Sequence, residues 1–395
     1  MGLSASTAIG ILGSGAMGSG IAQVAAAAGH PVVLGDLSEA ALARALAGIK
    51  KALDREVEKA RRTPAEVDAI MGRIRTGPTD GNYRLYERCG LVVEAIVEDL
   101  SAKQQAFTTL ESSTGPDAVL ASNTSSLSIT AIASACRRPE RVLGMHFFNP
   151  APVLPLVELV GGYATDPVLL QEIRSLVDRW GKTPVIAADT PGFIVNRVAR
   201  PFYGEALRLV EEGVAQPVTI DWAMRELGGF RMGPFELMDL IGNDINYAVT
   251  RSVFEAFAYD PRYRPSLLQR RLVDARLFGR KSGRGWYDYR DGASPVAPPV
   301  TDEALGHRIV DRIVAMLINE AADAVFLRIA SAADIDLAMT KGVNYPRGLL
   351  LWADQIGVAV VFERLVALQD EYGEDRYRPS ALLRRMAREG RSFYS

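Results

Sequence analysis

Cysteine is nearly absent from the 395 residues. Only Cys89 and Cys136 occur, too few for a disulfide scaffold or a thiolate zinc site and in keeping with a reducing, cytoplasmic compartment. An excess of one charge is also missing. Forty-five Lys and Arg stand against 47 Asp and Glu, a net charge of −2, with no run of five like charges. The electrostatic footprint of a nucleic-acid binder is therefore absent, and charged small molecules stay open as partners. No stretch of 18 apolar residues is present, and MGLSASTAIGILGSG has neither a basic leader nor an apolar signal core, so membrane spanning and secretion are not expected. Met1-Gly2 with Ser6 fits a myristoylation pattern, but Ala8 to Leu12 right after it reads as a buried strand. Asn123-Thr124-Ser125 fits a glycosylation pattern that is idle without a secretory route. Apolar residues, in contrast, make up 48% of the chain. That is ample for two or three domains with real cores, at roughly 150 residues each, and excludes a disordered protein.

From Ala8 to Leu12 an apolar run leads into Gly13-Ser14-Gly15-Ala16-Met17-Gly18, and the alanine-rich Ile21 to Ala28 has strong helix propensity. A second strand, Pro31 to Gly35, ends at Asp36, eighteen residues after the third glycine. Strand, glycine turn, helix and acid in this register form the dinucleotide-binding βαβ fingerprint. Gly13 makes the tight turn, Gly15 lets a pyrophosphate approach, Gly18 lets helix pack on strand, and the helix N-terminus supplies N–H groups and positive dipole. Asp36 accepts from ribose hydroxyls and repels a 2′-phosphate; Leu37 rather than Arg follows it, so NAD is favoured over NADP.

Glu39 to Ile74 is helical in pattern, long for a crossover, and carries Lys50, Lys51, Arg55, Lys59, Arg61 and Arg62. These cations are either a solvated face or contacts for the phosphates of a large substrate. Leu91 to Ile96, Ala118 to Ala121 and Val142 to Met145 read as further strands, with a helix over Asp99 to Leu110. The polar clusters Ser122-Asn123-Thr124-Ser125-Ser126 and His146-Phe147-Phe148-Asn149 follow two of these strands, where an open α/β sheet binds ligands. After Pro191-Gly192 the pattern turns helical: Phe193 to Glu212, Thr219 to Leu227, Pro234 to Ala258 and Ser266 to Arg276. A Pro, Ala and Ser-rich linker follows at Asp291 to Thr301.

An offset of 115 then aligns Arg197 with Arg312, Glu205 with Glu320, Asp221 with Asp336, Gly233 with Gly348, Asp239 with Asp354 and Gly242 with Gly357. Tyr263-Arg264-Pro265-Ser266 recurs as Tyr377-Arg378-Pro379-Ser380. The helical domain is duplicated.

Of the three histidines, His30 reads as a helix cap and His307 as exposed, while His146 ends a buried strand beside the nucleotide crevice. Glu158, in the apolar run Leu154 to Val160, needs a partner because burying a lone charge is costly. Paired with His146 it fixes the tautomer, favours the imidazolium and leaves the second nitrogen as general base; a structural His with a separately satisfied Glu is the alternative. Ser125 and Asn196 are candidate donors to a substrate oxygen, against readings as a cap and an internally satisfied Asn.

The runs GSGAMG, SNTSSL, HFFNPAPV, VE, TPGFIVNR, MGPFELMD and KSGRGWY together resemble the 3-hydroxyacyl-CoA dehydrogenases over essentially the whole chain. The resemblance implies an α/β Rossmann-type domain followed by two tandem all-α domains of the 6-phosphogluconate-dehydrogenase C-terminal type. The implied boundaries are 1–188, 189–290, a linker at 291–305, and a non-catalytic repeat at 306–395. It implies NAD-dependent oxidation of (S)-3-hydroxyacyl-CoA in fatty-acid or phenylacetate breakdown, with 3-hydroxyadipyl-CoA or 3-hydroxybutyryl-CoA as substrate. His146 matches the base and Glu158 its orienting acid; Ser125 and Asn196 match the groups around the substrate oxygen. Gly13, Gly15, Ala16, Met17, Gly18, Asp36, Glu98, Lys103 and Asn123 match the NAD site, and Asn149 and Lys59 substrate contacts, while Ala52 departs from a polar position. A related branch acting on gulonate is the alternative. Arg231 stands where the resemblance predicts Pro, either as an exposed loop cation or as a partner for the terminal carboxylate of a dicarboxylic acyl chain. The second repeat is expected to fill, within one chain, the place a partner subunit's helical domain would take, with dimers still open through other surfaces.

Overall fold

The apolar Ala8–Leu12 forms β1, in the middle of a sheet completed by β2 (Val32–Asp36), β3 (Ile74–Pro78), β4 (Cys89–Glu94), β5 (Val119–Ser122), β6 (Val142–Phe147), β7 (Leu156–Gly161) and β8 (Thr183–Ala188). The computed structural model describes residues 3–4, 6–79, 81, 83–294 and 296–394; the Met1-Gly2 motif lies outside them. The chain divides into two compact units, the first ending at Phe193 and the second beginning at Ile194. Among the described residues no helix is long and apolar enough to cross a membrane.

The strand order is β3-β2-β1-β4-β5-β6-β7-β8, with β7 antiparallel to β6 and every other pairing parallel. Central strands are near-continuous apolar runs because helices cover both faces. Those helices are α1 (Ala16–Ala27), α2 (Glu39–Glu58), α3 (Pro64–Gly72), α4 (Leu100–Ser113), α5 (Ile129–Ala133) and α6 (Pro167–Arg179). Strand order reverses on either side of β1, which opens a ligand crevice at its carboxyl end.

The continuous helix expected over Glu39 to Ile74 is interrupted. Ala60 adopts φ 53°, and Thr63 starts α3 with a reciprocal capping box to Glu66 and Pro64 in the first turn. Ile74 opens β3, an edge strand with only Ile74 buried, so it carried no apolar alternation to announce it. β7 and β8 also went unread as strands, since short apolar runs do not declare their periodicity.

The second unit is helical: α7 (Val195–Val198), α8 (Arg200–Glu211), α9 (Pro217–Trp222), a π-helical turn at Ala223–Leu227, α10 (Pro234–Ile241), α11 (Asn243–Ala256), α12 (Leu267–Asp274), α13 (Glu303–Phe326), α14 (Ala332–Gly342), α15 (Leu349–Ile356), α16 (Val358–Tyr372) and α17 (Ala381–Glu389). The expected run from Pro234 to Ala258 breaks at Gly242, whose φ is 105°.

Residues paired by the 115 offset make equivalent contacts. Asp221 accepts from the amides of Phe235 and Glu236, as Asp336 does from Leu350 and Leu351. Tyr287 and Tyr394, which lie outside that offset, donate their hydroxyls to the same two carboxylates. Between the copies the contacts are reciprocal. Arg197 meets Glu320 at 2.5 Å and Arg312 meets Glu205 at 3.0 Å; Tyr263 donates to Glu320 and Tyr377 to Glu205.

Candidate active site

Three polar clusters gather at the carboxyl ends of the parallel strands. The first is the glycine turn after β1. Gly13 has φ +101°, and a Cβ there would stand 2.6 Å from the Ala95 carbonyl oxygen; a Cβ on Gly18 would stand 1.9 Å from the Gly13 oxygen. Side chains are thus excluded where chain meets chain. A Cβ on Gly15 would meet nothing within 4 Å, and Gly15 precedes α1 without a side-chain cap. Open space before the first-turn N–H groups of a helix, Ala16 and Met17 among them, suits a pyrophosphate.

At the end of β2, Asp36 Oδ2 accepts from Ser14 N at 2.7 Å and Ser14 Oγ at 2.8 Å, and Oδ1 from Ser38 N at 3.2 Å. Burial pushes its pKa up, but these donors outweigh it and hold the carboxyl below its ordinary value. Asp36 is therefore an anion at neutral pH that also ties the glycine turn to β2. Sequence reasoning missed Ser14; its place inside the turn was the available signal.

The second cluster joins β4 to the loop after β5. Lys103 is 1% exposed and lies 2.6 Å from Glu94 Oε1 and 3.4 Å from Glu98 Oε2. Glu94 also accepts from Ser122 Oγ at 2.6 Å and the Ile96 amide at 2.7 Å. Glu98 Oε1 accepts from Thr124 Oγ1 at 2.6 Å, Ser125 N at 3.0 Å and Ser126 N at 3.2 Å. Burial raises the Glu98 pKa, while the Thr124 hydroxyl, the Lys103 charge and the loop amides pull it lower on balance. Asn123 Oδ1 accepts from Phe147 N at 2.9 Å, linking this loop to β6. Glu98 and Lys103, identified through resemblance, thus organise the Ser125 loop from beneath. The Glu94 hub was missed, although a carboxylate closing an apolar strand was its signal.

The third cluster is His146 and Glu158. They are direct partners in the antiparallel β6–β7 ladder, and His146 Nδ1 stands 2.7 Å from Glu158 Oε2, with 7% and 0% of the side chains exposed. A carboxylate at Nδ1 places the proton there, so Nε2 carries the lone pair. Phe148 and Phe193 flank the imidazole at 4.5 and 5.8 Å between ring centres. The connection from β6 to β7 is pinned by the buried Lys182, whose Nζ donates to the Ala151 oxygen at 2.5 Å and the Leu154 oxygen at 2.9 Å. Asn149 is exposed at its start.

The first unit thus brings together the glycine turn, Asp36, Asn123, Ser125, Glu98, Lys103 and the His146–Glu158 pair. Lys59 does not join them. It is the exposed C-cap of the 20-residue α2, with about 30 Å of helix between it and the β2 end. It shares a stripe with Lys51 and Arg55 at four-residue intervals, while Lys50 pairs with Asp54 and Arg62 with Glu56. Asn196 belongs to α7 of the second unit. Among the described residues no cluster suits a metal ion. A dinucleotide cradle beside a carboxylate-backed imidazole can exchange a proton with a substrate hydroxyl while the dinucleotide takes a hydride.

Residues 8–190 match the family description "3-hydroxyacyl-CoA dehydrogenase, NAD binding domain", and residues 192–289 and 309–393 match "3-hydroxyacyl-CoA dehydrogenase, C-terminal domain". The chain is 40% identical to the 3-hydroxyadipyl-CoA dehydrogenase of Escherichia coli (strain K12), over 96% of this chain and 97% of that one. It is 43% identical to a probable 3-hydroxybutyryl-CoA dehydrogenase of Bacillus subtilis, over 72% of this chain and 98% of the relative. The crystal structure of 3-hydroxybutyryl-CoA dehydrogenase from Escherichia coli K12 is similar with a TM-score of 0.92 and 39% identity, covering 98% of this chain and 99% of that one.

Proposed function

The chain belongs to the 3-hydroxyacyl-CoA dehydrogenase family, and from that premise we propose that it oxidises (S)-3-hydroxyacyl-CoA to 3-oxoacyl-CoA through His146 and Glu158. It is an NAD-dependent oxidoreductase. The observation that supports the assignment of roles is the 2.7 Å contact between His146 Nδ1 and Glu158. His146 Nε2 takes the proton of the substrate 3-hydroxyl, and Glu158 stabilises the imidazolium that forms. Ser125 and Asn196 donate hydrogen bonds to the substrate oxygen, the roles that their family motifs imply. Gly13, Gly15, Ala16, Met17 and Gly18 hold the pyrophosphate and Asp36 the ribose; Glu98, Lys103 and Asn123 shape the nicotinamide side. NAD, when bound, accepts the hydride. Lys59, Lys51 and Arg55 face the CoA phosphates, and Asn149 contacts substrate.

The second unit reads as two copies, 189–290 and 306–395, joined by the linker. The second lacks a nucleotide domain and has Asp311 at the Asn196 position, so it is no second active site. It stands in for the helical domain of a partner subunit, a reading supported by the reciprocal Arg197–Glu320 and Arg312–Glu205 pairs. The cytoplasm is the compartment this chemistry fits.

The test is steady-state NADH consumption with acetoacetyl-CoA and 3-oxoadipyl-CoA, with the thermal shift given by CoA thioesters. Turnover, together with a raised Tm at thioester concentrations well above Kd, is expected. Stabilisation by gulonate, with no thioester turnover, would replace this reading by the sugar-acid one.

A further inference from the structure

One buried polar cluster has no task in this mechanism. Arg200, the first residue of α8, is 8% exposed. Its Nη1 donates to Thr250 Oγ1 at 3.1 Å and its guanidinium lies 5.0 Å over the Tyr203 ring. Its Nε has no partner, and among the described residues no carboxylate pairs with it. Arg197, Arg208, Arg312 and Arg376 in the same unit each meet a Glu. Burial pushes the Arg200 pKa down, with only the phenols of Tyr203 and Tyr345 acting against it. Tyr345 comes from the second repeat, is 6% exposed, and its hydroxyl also lacks a partner. Its ring packs on Phe202 and Phe230 at 5.7 and 5.0 Å, and it lines a cavity of about 280 Å³ with Phe202, Phe230, Met232, Leu237 and Leu240.

Buried donors without acceptors are costly, and a native structure rarely keeps them without a reason. The duplication provides an internal control. Offset by 115, Arg200, Tyr203 and Thr250 correspond to Ala315, Ile318 and Leu365, all buried. The repeat therefore packs with hydrocarbon at all three positions. The polar set occurs only in the copy that carries Asn196.

We propose that Arg200, with Tyr345 and Thr250, receives the terminal carboxylate of a dicarboxylic 3-hydroxyacyl-CoA. The inference rests on the reading of Asn196 as a donor to the substrate 3-oxygen. Asn196 and Arg200 lie four residues apart across α7 and α8, joined through the helical Ala199, so they share a face about 6 Å apart along the axis. In a six-carbon dicarboxylic acyl chain, three C–C bonds, roughly 4 Å when extended, separate the 3-carbon from the terminal carboxyl carbon. Adding the reach of a hydrogen bond at each end spans that turn. The carboxylate satisfies the Nε–H and the phenol O–H together and neutralises the guanidinium. Arg231 lines the same cavity but is exposed, where a charge pair is worth little.

The test compares kcat/KM for 3-oxoadipyl-CoA and acetoacetyl-CoA, and inhibition by adipyl-CoA and hexanoyl-CoA, equal in length and differing only in the carboxylate. The wild-type enzyme should bind adipyl-CoA at least tenfold more tightly. Arg200→Met should lower the 3-oxoadipyl to acetoacetyl ratio about 10²-fold and Tyr345→Phe about tenfold. Tyr345→Phe removes one oxygen and keeps the packing, so it carries the test if Arg200→Met does not fold. Equal inhibition by the two thioesters, an unchanged ratio in the variants, or a ratio that moves with Arg231→Ala instead would overturn the proposal. An enzyme that reduces acetoacetyl-CoA with no dicarboxylate preference defeats only this inference; one that reduces no thioester defeats the functional reading beneath it.

Discussion

Replacing Glu320 by glutamine removes one charge from the interior of the helical unit while leaving its shape. Glu320 is 2% exposed at its side chain, with Arg197 Nε and the Tyr263 hydroxyl each at 2.5 Å and Arg262 Nη1 at 3.6 Å. Without it, Arg197 keeps, among the described residues, Asp323 at 3.5 Å and the Phe257 ring, 4.9 Å from its guanidinium. Removing one member of a buried ion pair costs about 3–5 kcal/mol because the other is stranded, and Asp323 sets the expectation at the lower end, about 3 kcal/mol. For a unit of about 200 residues that is a fall of roughly 6–12 °C in Tm. Urea denaturation and calorimetry of the full chain read both quantities. Glu205→Gln should behave alike, because Glu205 faces Arg312 at 3.0 Å and Arg208 at 2.7 Å. Burial pushes the Glu205 pKa up, but Arg208, Arg312 and Arg376 outweigh it and leave it below the ordinary 4.5. A depressed carboxyl stabilises the fold above its unfolded pKa and loses that contribution as pH falls through the folded one. The wild type should therefore lose stability progressively below pH 4.5, and Glu205→Gln should lose less. A cost under about 1 kcal/mol for Glu320→Gln would refute the view that these reciprocal pairs hold the two copies together.

Asp36→Ala should weaken NAD and reduce the NAD over NADP preference, measured as the ratio of the two kcat/KM values; an unchanged ratio would assign the discrimination elsewhere. Because hydrogen bonds hold the Asp36 pKa below its ordinary 3.8, NAD affinity should not fall through protonation of Asp36 as pH drops from 7 to about 5, a titration that equilibrium binding can follow. Ending the chain after Tyr289 removes α13, whose Ile309, Ile313, Leu317 and Ala321 are buried. The shortened protein should aggregate or form a dimer in analytical ultracentrifugation; a stable, fully active monomer would contradict the stand-in role of the second copy.

What the sequence made legible had local or periodic causes. The βαβ fingerprint could be read because each glycine has its own steric reason, seen at Gly13 and Gly18. The duplication was legible because Arg197, Glu205, Asp221 and their counterparts serve contacts that both copies must satisfy. His146 and Glu158 could be paired on chemistry alone, and their ladder register supplies the geometry. Legibility failed where signals were weak or non-local. β3 buries one residue and sits at an edge. The Glu94 hub joins residues 28 positions apart, and the Arg200 Nε, without a partner among the described residues, has as its neighbours Thr250 and Tyr345, which are distant in sequence.

His146 is the proposed proton acceptor, and His146→Gln tests that role most directly. NAD affinity by equilibrium binding and kcat with acetoacetyl-CoA should be measured for this variant and for Glu158→Gln. A positioned general base contributes about 10²–10⁴ in rate, so His146→Gln should lose that much in kcat with NAD affinity unchanged, and Glu158→Gln should follow in the same direction. A loss of less than tenfold in kcat for His146→Gln, with the fold intact, would contradict the account.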